Sequence, residues 1–501
     1  MQEVYLLGID IGTTKIKVGI FSVKGKLKSF TFMPHRILHP KLNYCELDLT
    51  TQWDKLLQCL SIALKRVHIS PEKIKSIGIS TLCPVFVALN TEGEPLRAGI
   101  IYSDQRSMKQ KKDINKIFSE KEFLTITGNG INPAVCSFSN MLWIKDNEPG
   151  IFNKTSIFGH IDTYLIHKLT GNFAIDWTNA SFTGIYNIKK NIWAKKLYST
   201  FGVPVEKLPP IVSPTTVVGG ITQKISRLTG LKEGTPVIAG AADTACSALA
   251  LGVTKNDQIF QTSGGSEVTT ICSDTPRFDN RFGNRNHVIL GKWLFHGAML
   301  TGGTSLEWIN DIFYPEIKEA YRYRKMGKEA HISSPNANGI IFLPYLSGKR
   351  TPKWDPNAKG VFWGLSLKNK RSDMIRAVLE GVAYGMREIM EIIEGNLKIK
   401  VNEIGIVGGG AENDLWNQIK ADVIQKKVLK YKFHETALLG AALLGGIGAK
   451  IFSNYEEAII KVAASSKIEK IYYPNSKIFS QYYRRNFKIY KSLYNAIKNI
   501  N

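Results

Sequence analysis

A chain of 501 residues is longer than one hydrophobic core sustains, so two domains of about 200 to 250 residues each are expected. Hydrophobic residues make up 44% and charged residues 22%, a balance that excludes a disordered chain. The 66 Lys and Arg against 42 Asp and Glu give a net charge of +24, but the basic residues fall in short runs such as Lys109 to Lys112 and Arg484-Arg485; with no nucleic-acid module or basic tail, this reads as solvated surface that concentrates an anionic substrate.

The six cysteines (Cys45, Cys59, Cys83, Cys136, Cys246, Cys272) are widely spaced and form no C-x-x-C, so neither zinc nor a disulfide framework is expected and a reducing cytoplasm fits. No secretion signal is expected at the N-terminus. No membrane span is expected either: the richest apolar run, Ala437 to Ala449, is Gly-laden and falls short of the ~20 residues a span needs.

Val4 to Phe21, VYLLGIDIGTTKIKVGIF, reads as a hairpin: an apolar strand into Asp10, a break at Gly12-Thr13-Thr14, then alternating Ile16, Val18 and Ile20. Two readings stand side by side. The turn either holds phosphates, with Asp10 offering a carboxylate to hydrated Mg²⁺, or is an ordinary hairpin shaped by Gly and Thr. Leu49 to Arg66 has helical spacing, with Thr50 or Thr51 as N-cap. Ile74 to Ile79, ending at Ser80-Thr81, and Val85 to Leu89 read as strands, so strand, helix and strand build a layered α/β domain.

Ile100 to Arg106 leaves a strand for a polar cluster in which Asp104 and Arg106 either face a ligand or pair with each other. A helix over Thr163 to Leu169 stops at Gly171, before the loop AIDWTNASFTG. Val237 to Ala242 is a strand that delivers Asp243-Thr244 to a helix N-terminus (Ala245 to Leu251). Asp243 there is an N-cap contributing ~1 kcal/mol, a general base, or both.

Gln258 to Ile271 repeats the hairpin design around Ser263-Gly264-Gly265-Ser266. Glu403 to Val407 is a strand entering Gly408-Gly409-Gly410-Ala411. Asn413 then caps a helix carrying Leu415, Trp416, Ile419 and Val423. Ala437 to Leu444 is a close-packed helix, and Phe479 to Ile497 an amphipathic one that packs on the second domain. The boundary falls near residues 247 to 256, giving domains 1–247 and 248–501.

The turns GIDIGTT, TSGGSE and IVGGGAEN, in this order, resemble those of the FGGY carbohydrate kinases. Gly360 to Glu380, GVFWGLSLKNKRSDMIRAVLE, is similar to that family's C-terminal signature; GKRTPKWDPNAKG and LTGNFAIDWTNAS also look like family segments, and the whole is xylulokinase-like. The resemblance implies an α/β fold of two actin-like (ribonuclease H-like) ATPase domains flanking a central cleft. It implies ATP and Mg²⁺, with Asp243 as general base and Asp10 holding the metal through water. Gly12, Thr13, Thr14, Gly264, Gly265 and Ser266 would bind phosphates, and Gly409, Gly410, Ala411 and Asn413 adenosine. Thr81, Cys83, Pro84, Tyr102, Asp104, Asp243 and Thr244 would meet the acceptor.

The activity so implied is phosphorylation of a sugar or polyol hydroxyl, foremost a ketose such as xylulose, feeding carbohydrate catabolism. Glycerol, ribulose, gluconate, a tetrose or a signalling sugar are the alternative acceptors, and a non-catalytic sugar-binding regulator is the alternative class. Expected partners are ATP and a small sugar or polyol, with no nucleic acid, no membrane and a possible homodimer, in the cytoplasm. An actin-like or chaperone-type ATPase would explain the turns but not Gly360 to Glu380.

The chain departs from the family at identifiable positions. Cys83-Pro84 stands where xylulokinases have Met-His and glycerol kinases Arg-Glu, and neither residue replaces those in binding hydroxyls. Gly264-Gly265-Ser266 lacks the usual threonine hydroxyl, which Ser263 or Ser266 would supply. Tyr102 replaces Trp, and Asn140 replaces Lys before Leu142-Trp143.

Overall fold

The opening strand, Tyr5–Ile11, is buried at every position, the pattern of a strand with both faces covered. In the computed structural model, which describes residues 3–67, 69–317, 319–395, 397–463 and 467–498, it lies inside a sheet. The neighbouring strands run in the order Val217–Gly220, Pro236–Ala242, Ile74–Thr81, Tyr5–Ile11, Lys15–Ser22, Leu27–Pro34. The hairpin predicted around Gly12 closes with Ile11 opposite Ile16 and Asp10 opposite Lys17. Tyr5–Ile11 and Ile74–Thr81 are parallel, as are Ile74–Thr81 and Pro236–Ala242. Asp10 therefore pairs with Ser80, and Thr81 with both Ile11 and Ala242, which lines up three carboxyl ends.

The chain divides into two compact units that are not contiguous halves. The first takes Met1–Thr254, Ser273–Phe295 and Glu435–Ser466, and the second Lys255–Cys272, His296–His434 and Lys467–Asn501. A single cut after residue 247 describes chain order, whereas packing returns two later segments to the first unit.

One of those segments carries the helix Thr436–Gly448, which sits on the sheet through glycines. A Cβ on Gly8 would lie 2.3 Å from the Leu438 carbonyl oxygen, and one on Gly78 would lie 1.8 Å from that of Ala441. Gly8 thus serves helix packing rather than the turn. The helix Leu49–Val67 adds Trp53, Leu56 and Leu60 to the core that holds Ile9, Val18 and Ile79. Its cap corrects the sequence expectation: Asp48 Oδ1, not Thr50 or Thr51, accepts the amides of Thr50 and Thr51 at 3.1 Å. A smaller sheet, in the order Glu46–Leu47, Gly99–Ile101, Val85–Leu89, Ile157–His160, completes the expected α/β layering of this unit.

In the second unit the strands run Glu267–Ser273, Ile259–Ser263, Glu403–Val407, Lys427–Tyr431, Ile468–Tyr472. The parallel pairing of Thr262 with Val407 sets the two glycine turns that follow these strands side by side. The C-terminal segment packs here as expected: Arg376 donates to the Tyr483 hydroxyl at 3.1 Å, and the Tyr490 and Tyr345 hydroxyls are 2.8 Å apart. The six cysteines are free. Among the described residues no helix is long and apolar enough to cross a membrane.

Candidate functional site

In the first unit the polar groups gather at the aligned carboxyl ends of the three parallel strands, the usual place for ligands in such sheets. Asp10 is buried, and its Oδ1 accepts from Ser80 Oγ at 2.8 Å. Its Oδ2 lies 3.5 Å from Lys17 Nζ, which also pairs with Glu435 at 2.6 Å. Burial raises the Asp10 carboxyl, with Lys17 and Ser80 opposing. Burial works against the Lys17 ammonium, but Asp10 and Glu435 outweigh it and raise its pKa. Thr13 is half-buried and Thr14 exposed; the Gly12 amide donates to the Lys15 carbonyl at 3.0 Å, and His35 Nε2 braces the Gly12 carbonyl at 2.9 Å.

Asp243 opens the helix Asp243–Ala250 as its first residue rather than its N-cap, which is Ala242. It accepts the Thr244 amide at 2.6 Å and caps no later amide. Burial pushes its carboxyl up from 3.8 to about 6, Arg285 pulls the other way, and the nearby Asp10 charge adds to the rise. A carboxyl tuned this way is half-ionised near pH 6 and mostly ionised at neutrality, which suits it to accept a proton. The Thr244 hydroxyl is buried without a hydrogen-bond partner among the described residues.

A second cluster surrounds Cys83. Its Sγ lies 3.9 Å from His160 Nδ1 and 3.9 Å from the Asn179 carbonyl oxygen, and Thr81 donates to Asn179 Oδ1 at 3.4 Å. Burial raises the Cys83 thiol, and burial followed by Arg285 holds His160 down to about 3, hence neutral. Asp176 spends its carboxylate on Thr178 and Asn179, capping the turn Trp177–Ala180. Burial, then the Asp176 charge, holds Asp162 well above the usual carboxylate range.

Asp104 resolves toward the structural alternative. Its oxygens take the Arg106 guanidinium at 2.9 and 2.7 Å and the Cys45 amide at 2.6 Å, so they are committed within the chain. Tyr102 is partly buried against the sheet core.

The second unit holds a cavity of about 860 Å³ lined by Gly264, Gly265, Gly409, Gly410, Asn413 and Trp416, with Tyr323, Arg324, Lys328 and His331 on another wall. Five of the expected nucleotide residues meet there, whereas Ser266 and Ala411 do not line it, Ala411 being fully buried. Asn413 caps its helix as expected, its Oδ1 accepting the Trp416 amide at 3.0 Å. The carbonyls of Gly264 and Gly265 accept amides from Gly302 to Thr304 at the head of the helix Gly303–Phe313. Ser263 is not free to replace the missing threonine: its hydroxyl donates to Glu267 at 2.5 Å and accepts from Lys420 at 3.0 Å. The Lys420–Glu267 pair itself, at 3.0 Å, is wholly buried.

Sequence reasoning missed Lys17, His160, Asp162, Asp176, Arg285, Lys420 and the helix bearing Tyr323 to His331. The hairpin register could have found Lys17, because a four-residue turn closing on Ile11 and Ile16 sets it opposite Asp10. The others come from remote segments and carry no local signal.

The sequence profile of the FGGY family of carbohydrate kinases, N-terminal domain, matches residues 5–250, and that of the C-terminal domain residues 259–449. The chain is 28% identical over 493 residues to the xylulose kinase of Staphylococcus xylosus, spanning 98% of this chain and 99% of that one. It is 29% identical over 454 residues to the gluconokinase of Bacillus licheniformis, spanning 88% and 87%. The crystal structure of ligand-bound xylulose kinase from Lactobacillus acidophilus superposes with a TM-score of 0.89 at 24% identity, over 99% of this chain and 98% of that one, which shows the expected actin-like α/β fold.

Proposed function

The chain belongs to the FGGY family of carbohydrate kinases, and from this we propose that Asp243 is the base with which it transfers the γ-phosphoryl group of ATP to a sugar or polyol hydroxyl. The observation that carries the reading is the buried Asp243 carboxyl, raised to about 6, at the same strand ends as Asp10. Asp243 takes the proton of the acceptor hydroxyl as that oxygen bonds to the γ-phosphorus and the bond to the ADP oxygen breaks. Phosphoryl transfer asks for alignment and charge neutralisation. Lys17 and the Gly12 to Thr14 turn supply these in the first unit, and Gly264, Gly265, Gly409, Gly410 and Asn413 hold the nucleotide in the second.

Mg²⁺ suits Asp10, a buried hard-oxygen ligand with one oxygen bound by Ser80 and the other 3.5 Å from Lys17. Among the described residues no group of three His, Cys, Asp or Glu could hold a metal, and Asp10 is the carboxylate that would meet the ion. When bound, the ion neutralises phosphate charge.

The xylulose kinase relative supports a ketose such as xylulose as acceptor, and the gluconokinase relative an acidic one. A cytoplasmic location fits the six free thiols, and a homodimer would show on sizing. ADP release across pentuloses, hexuloses, glycerol, tetroses and aldonates, with ATP and Mg²⁺, tests the activity. No turnover with any acceptor would sink it and favour a sugar-binding regulator, and an Asp243→Ala variant as active as the parent would remove Asp243 from the role of base.

A further inference from the structure

A turn that receives phosphate has to point its amide hydrogens at the ligand and its carbonyl oxygens away, because an oxygen dipole facing phosphate repels it. The carbonyl of one residue and the amide of the next belong to one planar trans peptide and point in opposite directions, so whatever draws the carbonyl back aims the following amide forward. In the second unit backbone groups do this: the Gly264 carbonyl accepts the Gly303 amide at 2.9 Å, and the Gly265 carbonyl accepts the Gly302 and Thr304 amides at 2.8 and 3.0 Å. Behind the Gly12 to Thr14 turn the same task falls to one residue, His35.

Strand register puts it there. Lys15–Ser22 and Leu27–Pro34 are antiparallel with Lys15 opposite Pro34, so His35, one residue on, meets Thr14 and donates its amide to the Thr14 carbonyl at 2.9 Å. Lys55 Nζ, from the helix Leu49–Val67, holds the strand end by donating to the Pro34 carbonyl at 2.7 Å. The imidazole reaches the turn itself, with Nε2 2.9 Å from the Gly12 carbonyl oxygen. A carbonyl only accepts, so Nε2 carries the ring proton, and burial, which lowers the His35 pKa, keeps the ring neutral at pH 7. Among the described residues no hydrogen bond uses the amides or hydroxyls of Thr13 and Thr14, which leaves these donors for a ligand.

Packing does not explain an imidazole at this place. His35 is 6% exposed, and its Nδ1 is buried with no hydrogen-bond partner among the described residues. An aliphatic side chain would fill the space without stranding a polar atom, so what histidine adds is the one N–H aimed at Gly12.

We propose that His35 is a positioning residue for phosphoryl transfer: it holds the Gly12 carbonyl back, and so turns the Thr13 amide toward the terminal phosphates of the nucleotide. This rests on the reading of that turn as a phosphate site and adds a residue that touches no ligand itself. Glycine tolerates either orientation of its peptide, so without the imidazole the Gly12–Thr13 peptide is free to present its oxygen to the phosphate instead.

Two variants carrying the same amide group test this in the full chain. The Gln amide reaches the place of Nε2, whereas the Asn amide, one methylene shorter, stops short of Gly12. In isothermal titration with Mg²⁺, His35→Asn should bind the non-hydrolysable imido analogue of ATP about tenfold more weakly than the parent and AMP within about twofold of it, and His35→Gln should keep the imido analogue within about threefold. In steady-state kinetics His35→Asn should raise the KM for ATP and leave that of the acceptor within about twofold. Equal losses for AMP and the imido analogue would reduce His35 to a structural brace and overturn the proposal, as would His35→Asn binding like the parent or His35→Gln binding like His35→Asn. If His35→Asn does not fold, His35→Leu takes its place with the same expected result. Because titration needs no turnover, binding that follows His35 in a chain that phosphorylates no acceptor would sink the kinase reading alone, and turnover with binding indifferent to His35 would sink this one alone.

Discussion

Asp243→Asn should silence the chain and stabilise it at the same time. Burial raises the Asp243 carboxyl from 3.8 to about 6, so between these pH values the folded state holds a proton that the unfolded state has lost. Stability therefore falls as pH rises through that window, and above about pH 6 the ionised carboxylate costs the fold about 2 pH units, or on the order of 3 kcal/mol. Asn removes the charge and keeps the shape. For 501 residues unfolding together, with an entropy of about 1 kcal/mol/K, the gain is about 3 °C at pH 8, and more if the first unit melts by itself. Scanning calorimetry from pH 4 to 8 should show the variant's advantage shrinking toward acid, while ADP release falls by about 10² to 10⁴. A variant no more stable than the parent at pH 8, or an advantage that persists at pH 4, would refute the idea that a buried charge is kept here for chemistry.

Three further outcomes follow from the same contacts. Gly410→Ala puts a Cβ 2.1 Å from Ser263 Oγ and 2.9 Å from the Trp416 ring, so the KM for ATP should rise at least about tenfold, with the acceptor KM little changed in steady-state kinetics. Lys420→Met strands Glu267 in the core and should cost about 3 to 5 kcal/mol in urea unfolding, most of it restored by adding Glu267→Leu. Asp104→Asn weakens the anchor of the buried Arg106; it should lower stability by a few kcal/mol while leaving the acceptor KM within about twofold, and a large rise in KM would return Asp104 to the acceptor site.

Local pattern was enough to mark most strands and helices near the site. Val85–Leu89 and Glu403–Val407 appear where their apolar runs begin and end, and Asn413 caps its helix because Asn, glycine turn and helical spacing lie within a few residues. Asp10, Asp243 and the glycine turns were legible for the same reason, each standing where a strand ends. The helix at Leu49 shows the limit of such reading, since Asp48, one residue further out, out-competes both threonines for its first amides.

What tertiary structure alone decided are partnerships across long chain separations. Whether Asp104 serves a ligand or Arg106 depended on Cys45 arriving from another strand, and Ser263 was lost to the nucleotide site once Lys420 reached it across more than 150 residues. Gly8 owes its identity to a helix that begins at Thr436. Arg285 is one basic residue among 66 in the sequence; only burial beside Phe182 singles it out. Sequence determines propensity over a few neighbouring residues, whereas the cost of an unpaired charge is set by which distant segments exclude water from it.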